Sequence, residues 1–248
     1  MKPAKILVAA AALLASAGCG EQGSNGTAVD TNAPIEAVAP PPGGDWTQLV
    51  RQTQDGGFLM GNPNADVKVV EFGSMTCPHC AEFSETGFQE LVNEYVKTGR
   101  VSFEFRNYVR DPLDITMALI ARCGGPERFF PVTDAMFASQ SQFFEQLQAT
   151  PQEQQQALQQ MPPAQQFASY ANLAGLQQWA AQRGVPSARQ QQCLSNQSEV
   201  DRLVQMTSDA SGTHNVQGTP SFLINGSLAE GASTWATLEP KIREALGS

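Results

Sequence analysis

The chain has 248 residues, 41% hydrophobic and 16% charged, enough apolar material for one or two domains with a real core. Its formal net charge of −9 and pI near 4.7 argue against nucleic acid or an anionic membrane surface as the main partner. Five cysteines, Cys19, Cys77, Cys80, Cys123 and Cys193, form an odd set in which each member needs its own account.

Lys2 and Lys5 precede an apolar run from Ile6 to Ala17, and Ala15, Ser16, Ala17 and Gly18 are small. This is the order of a secretory signal peptide, expected over residues 1–18. The run of about 12 residues is too short for a spanning helix, which needs roughly 20. No later stretch approaches that length, so no transmembrane helix is expected in the mature chain. Ser16-Ala17-Gly18-Cys19 resembles a bacterial lipobox, which would make Cys19 a lipidated N-terminus; ordinary cleavage after Ala17 is the alternative. Residues 19–44, rich in Gly, Ala, Ser, Asn and Pro, read as a disordered tether that cannot bury enough apolar surface to fold. Loss of Lys2 and Lys5 would take the charge from −9 to −11. Four cysteines then remain, in a compartment where disulfides persist.

A folded domain is expected over 45–248. Val67-Lys68-Val69-Val70-Glu71-Phe72 is β-branched and aromatic and predicts a buried strand. Gly73-Ser74-Met75-Thr76 leads from it into Cys77-Pro78-His79-Cys80, after which Phe83, Phe88, Leu91, Val92, Tyr95 and Val96 recur at largely helical spacing. The C-x-x-C pair therefore lies at a strand-to-helix junction, with Pro78 in the first turn, where its missing N–H costs nothing. Unpaired backbone N–H groups and the helix dipole favour a thiolate at Cys77, and a protonated or donating His79 would favour it further. Cys80, one turn on, suits a more buried, resolving role. A zinc site wants four ligands in a recognisable spacing, and Cys123 and Cys193 form no second C-x-x-C. Haem attachment needs a histidine where Ala81 stands. Neither a metal nor any other cofactor is expected, because the sulfurs themselves carry the electrons.

Val101 to Val109 alternates and predicts the second strand of a βαβ unit. Asp111-Pro112 opens a helix with Leu113, Met117 and Ile120 on one face, stopped by Gly124-Gly125-Pro126. A second helix carries Ala135, Met136, Phe143 and Phe144. The glutamine-rich stretch 146–166 reads as a solvated helix and a loop. Further helices are expected at 167–182, 186–195 and 198–211, the last with Val200, Leu203, Val204 and Thr207 on its inner face. Val216 to Gly226 contains Gly218-Thr219-Pro220 leading into a strand, and a closing helix from about Thr234 presents Trp235, Leu238, Ile242 and Leu246.

The Cys77-Pro78-His79-Cys80 motif after Val69-Val70-Glu71-Phe72, with Gly218-Thr219-Pro220-Ser221 later in the chain, resembles the DsbA family of thiol:disulfide oxidoreductases. The likeness covers roughly residues 58–246. It implies an α/β, thioredoxin-like fold whose βαβ and ββα halves flank an all-helical insertion at about 111–213. It implies a redox-active disulfide between Cys77 and Cys80, and a cis-proline loop at Thr219 and Pro220 that faces Cys77 and pairs with substrate backbone. Glu71 matches a buried acidic residue that would assist proton transfer; an edge or solvent-facing strand residue is the alternative. His214 reads as structural or exposed. Export favours a structural disulfide between Cys123 and Cys193 over two buried free thiols.

The function expected on these grounds is disulfide formation in exported proteins of the bacterial cell envelope or periplasm. The partners would be substrate proteins with free thiols and a membrane oxidase that restores the disulfide, with membrane contact only through a lipid at Cys19. An isomerase or reductase of the same fold is the alternative direction. A non-catalytic envelope lipoprotein with bracing disulfides is the alternative of another class.

Overall fold

The computed structural model describes residues 36–42 and 44–247. The expected signal segment 1–18, Cys19 and most of the expected tether lie outside the described residues. Contacts with the domain begin before the expected boundary at 45. The N–H of Val38 donates to the carbonyl of Thr98 at 2.6 Å, and the buried Trp46 donates its indole N–H to the carbonyl of Val38 at 2.9 Å. The end of the expected tether is thus fastened to the fold by backbone pairing and an aromatic anchor.

Six strands make one sheet: β1 (Val50–Gln52), β2 (Phe58–Gly61), β3 (Val67–Gly73), β4 (Val101–Asn107), β5 (Ser221–Ile224) and β6 (Ser227–Leu228), in the order β1-β2-β4-β3-β5-β6. β3 and β4 are parallel and the other pairs antiparallel. The central β3 is buried at every position except Lys68, as expected for a parallel strand covered on both faces. β1 and β2 went unread in the sequence because they are short and lack clean alternation.

The helix after β3 begins as α1 (Pro78–Phe83) and continues through π-type turns at Ser84–Phe88 and Leu91–Tyr95 to a final turn at Val96–Thr98. Between β4 and β5 stand eight helices: α2 (Pro112–Cys123), α3 (Pro126–Ala138), α4 (Gln140–Gln148), α5 (Gln152–Leu158), α6 (Pro163–Leu173), α7 (Leu176–Gln182), α8 (Ser187–Leu194) and α9 (Gln197–His214). The closing α10 (Trp235–Leu246) buries Trp235, Leu238, Ile242 and Leu246. This is the expected thioredoxin-like fold with a helical insertion.

Three expectations about the insertion need correction. Ala135 and Met136 do not share a helix with Phe143 and Phe144, because the backbone turns at Ser139, whose hydroxyl accepts the Trp179 indole N–H at 3.0 Å. The single helix expected over 167–182 is two, separated at Gly175, which adopts a left-handed φ of +71° that an L side chain rarely tolerates. On α9 the buried stripe is Val200, Leu203, Met206 and Ala210, while Val204 is 51% exposed. The i, i+4 neighbour points to water because the stripe follows i, i+3, i+6 and i+10. Ala210 packs with Val70, Phe72, Val216 and Leu223 on the sheet face opposite α1, so the last insertion helix completes the sandwich.

Candidate active site

Strand register explains why residues 142 apart in sequence meet. Phe72, near the end of β3, pairs with Ser221 at the start of β5. The residues just beyond β3 and just before β5 therefore sit side by side. They are the Ser74–Cys77 loop and the Thr219-Pro220 loop, whose peptide bond is cis. The sulfur of Cys77 lies 3.2 Å from the carbonyl oxygen of Thr219.

Cys77 is the N-cap of α1 and Pro78 its first residue. Cys77 and Cys80 are both free thiols and both buried, Cys80 completely. The Cys77 thiol titrates at about 5, far below an ordinary cysteine. The largest cause is the hydrogen bond from the Cys80 thiol; burial opposes it, and Thr219 and the N–H groups of Cys80 and His79 reinforce it. The Thr219 hydroxyl is buried without another partner, which leaves its proton for the Cys77 thiolate. Burial first, then the bond to Cys77 and the charges of Glu71 and Cys77, push the Cys80 thiol well up. One sulfur is thus set to attack or leave as an anion, while the other keeps its proton.

The His79 ring turns outward. The imidazole is 76% exposed and turns to Glu82, with Nδ1 at 3.4 Å from Oε2. Only its backbone N–H reaches the thiolate, because the first turn of a helix aims its N–H groups at the cap while its side chains radiate outward. His214 ends α9 with its ring 5.7 Å from that of Phe72, on the far face of the sheet.

Glu71 faces inward and is buried, not at an edge. Burial, and then the charge of Cys77, raise its carboxyl well above the carboxylate range. It shares with Cys80 a cavity of about 20 Å³ walled by phenylalanines, including Phe103, Phe105 and Phe130. Ser84, Thr133 and Asp134 complete the polar lining. Glu71 Oε1 and Thr133 Oγ1 are buried without partners, while Ser84 donates to Asp134 Oδ1 at 2.8 Å. A volume above roughly 15 Å³ with several polar atoms can hold one water. Glu71, Thr133 and the Ser84–Asp134 pair thus bring their polar atoms to the same space as the buried sulfur of Cys80.

Other polar residues at the site went unread. Asp114 of α2, Gln140 of α4 and Arg110 just before α2 all bond to the Ser74–Cys77 loop. The only sequence sign was Asp111-Pro112-Leu113-Asp114, which reads as a capped helix start and nothing more. Away from the site, Cys123 at the end of α2 is bonded to Cys193 of α8. Among the described residues no cluster of His, Cys, Asp and Glu could hold a metal ion, and no helix is long and apolar enough to cross a membrane.

Comparison with known proteins agrees with this architecture. The family model described as thioredoxin matches residues 53–244. The solved structure of a protein-disulfide isomerase from Novosphingobium aromaticivorans is 37% identical, covering 77% of this chain and 97% of that one, with a TM-score of 0.73. Wolbachia pipientis alpha-DsbA1, at 21% identity and a TM-score of 0.61, covers 76% of this chain and 90% of its own and shares the fold. A relative from Rickettsia felis named as a protein-disulfide oxidoreductase is 29% identical over 175 residues, 71% of this chain. The chain spans 55% of that relative's length and 61% of its counterpart in Rickettsia prowazekii. With a family match over most of its length and the cysteine pair at the head of α1, the chain belongs to the thioredoxin family and has the fold of its DsbA-like members.

Proposed function

We propose that the chain is a thiol–disulfide oxidoreductase that forms disulfide bonds in exported proteins of the bacterial cell envelope. The observation that carries this reading is the split between the two thiols: Cys77 titrates at about 5 while Cys80 is held well above the ordinary range. A stabilised thiolate stabilises the reduced pair, and a pair stable when reduced is an oxidising disulfide.

In the working direction a substrate thiolate attacks the Cys77 sulfur of the Cys77–Cys80 disulfide. The bond between the two sulfurs breaks, and Cys80 leaves and takes a proton through Glu71. A second substrate thiolate then attacks the substrate sulfur of the mixed disulfide. The substrate disulfide forms and Cys77 departs as a stable thiolate. Two electrons pass to the pair, and a membrane oxidase with its own disulfide would remove them. Thr219 and Pro220 lie where an extended substrate segment would pair beside the reacting sulfur.

The envelope location rests on the signal-like residues 1–18 and is supported by the Cys123–Cys193 disulfide, which suits an oxidising compartment. The lipobox-like Ser16-Ala17-Gly18-Cys19 would tether the domain to a membrane.

Equilibration with glutathione buffers tests the reading. A Cys77–Cys80 potential well above the glutathione couple is expected, and a pair without reversible exchange would overturn it. A second reading, an isomerase, is favoured by the name of the Novosphingobium relative. It would appear as rescue of scrambled ribonuclease by the reduced protein, where a pure oxidant only adds disulfides to reduced substrate.

A further inference from the structure

The loop Ser74–Cys77 delivers the reactive sulfur, yet it belongs to no helix or strand. Its backbone has one internal bond, from the Cys77 N–H to the Ser74 carbonyl at 3.1 Å. The other polar groups of the loop are taken up largely by the helical insertion. Asp114 accepts from the Met75 N–H at 2.8 Å through Oδ1 and from the Ser74 hydroxyl at 2.5 Å through Oδ2. Gln140 spends its amide nitrogen on two loop carbonyls, Met75 at 2.9 Å and Cys77 at 3.1 Å. Arg110 donates to the hydroxyls of Ser74 at 2.9 Å and Thr76 at 3.0 Å.

Resting on the proposed redox function, we infer that Asp114 and Gln140 are positioning residues for Cys77, clamping its loop so that the sulfur is held against Thr219 and the first N–H groups of α1. Three features favour this over ordinary packing. Asp114 is wholly buried, and a carboxyl removed from water is costly unless its bonds compensate. Its side-chain hydrogen bonds go to the Ser74 hydroxyl and to the backbone N–H groups of Met75 and Arg110, with the Arg110 guanidinium 4.0 Å from Oδ2. The Cys77 carbonyl already accepts from the Ala81 N–H in the usual way of a helix start, so the Gln140 contact is a second bond on the carbonyl of the reacting residue. Because the thiolate depends on the N–H groups of His79 and Cys80, two and three residues further on, a tilt of that peptide changes how well they reach the sulfur.

Two variants decide the matter, read by ultraviolet titration of the Cys77 thiolate in the reduced protein. Gln140→Met keeps the size and adds no charge but cannot donate. Asp114→Leu removes the acceptor. Loss of the Asp114 charge alone would leave the Cys77 pKa unchanged or lower it, whereas a loosened clamp raises it, so the sign is diagnostic. A rise of about one unit is expected in both, seen at pH 5 as a roughly fivefold smaller thiolate fraction. Asp114→Asn, which retains an acceptor for the Met75 N–H, should stay near the parent value. Folded Gln140→Met with an unchanged or lower Cys77 pKa would overturn the inference, and it decides alone if Asp114→Leu does not fold. Absence of glutathione exchange in the parent protein would instead strike the proposed function, since the titration reads the clamp without it.

Discussion

The sulfur of Cys77 and the carbonyl of Thr219 stand 3.2 Å apart because the register of β3 on β5 brings their loops together. The contact suits a thiol, which can donate to the carbonyl, and not a thiolate, which needs a donor in return. The Thr219 hydroxyl, buried and without another partner, is that donor. Thr219→Val keeps the shape and removes the proton. Hydrogen bonds to charged groups contribute about 1.5–3 kcal/mol, so the Cys77 pKa should rise by about one to two units. Thiolate absorbance against pH measures it; an unmoved titration would mean that Cys80 and the helix N–H groups suffice.

The site also sets how the potential depends on pH. Cys77 is depressed to about 5 and Cys80 is raised, so between these limits reduction of the pair takes up two electrons and one proton. The potential should fall by roughly 30 mV per pH unit above pH 5, and by about 60 mV per unit below it, where both thiols are protonated. Stability has the matching sign. A depressed thiol stabilises the folded reduced state fully above its unfolded value, and loses that contribution as pH falls toward 5. The oxidised protein has no such group at Cys77. Reduced protein should therefore be the more stable form at neutral pH by this contribution, with the advantage fading on acidification; parallel denaturant melts of the two forms would show it.

What could be read without coordinates was the chemistry that is local in sequence. Cys77, Pro78 and Cys80 follow a strand and begin a helix, and neighbouring residues suffice to establish that. Thr219-Pro220 was legible through the family resemblance that its motif carries, and the Cys123–Cys193 pair through the even number of cysteines left beyond residue 44. The outward direction of the His79 ring was not legible, because adjacency along the chain does not determine which way a side chain leaves a helix. Asp114, Gln140 and Thr133 were invisible for a further reason. Each acts across the interface between the insertion and the thioredoxin-like half, and nothing in a polar residue on a helix names the loop it will face.

Glu71 offers a kinetic test. Burial and the neighbouring thiolate both favour its neutral form, so Glu71→Gln is nearly isosteric and isoelectric with the resting state. Little change in the Cys77 pKa is expected. The slowed step should be the one in which Cys80 gives up a proton to resolve a mixed disulfide on Cys77. Positioned acid–base groups typically contribute about 10²–10⁴-fold, and stopped-flow resolution of a preformed mixed disulfide should lose a factor toward the lower end of that range. Thr133→Val, which removes a polar atom from the shared cavity, should slow the same step less. Normal resolution in Glu71→Gln would remove the carboxyl from the proton path.

The Cys123–Cys193 bond joins the end of α2 to α8 across a separation of 70 residues, within the insertion and away from the reactive pair. Chain-entropy arguments give roughly 4 kcal/mol for a loop of this length, with native-state strain subtracting from it. Replacing both cysteines by alanine also leaves a small void beside Cys123, which is buried. The double variant should unfold at lower denaturant, with a loss of about 2–5 kcal/mol and the parent's fold retained. Replacing only one should be the more damaging in an oxidising compartment, since it leaves a single thiol free to pair wrongly with Cys77 during folding. Comparing denaturant midpoints of the double variant with those of the parent separates bracing from exchange chemistry. A midpoint that does not move would mean that the helices of the insertion hold without the bond.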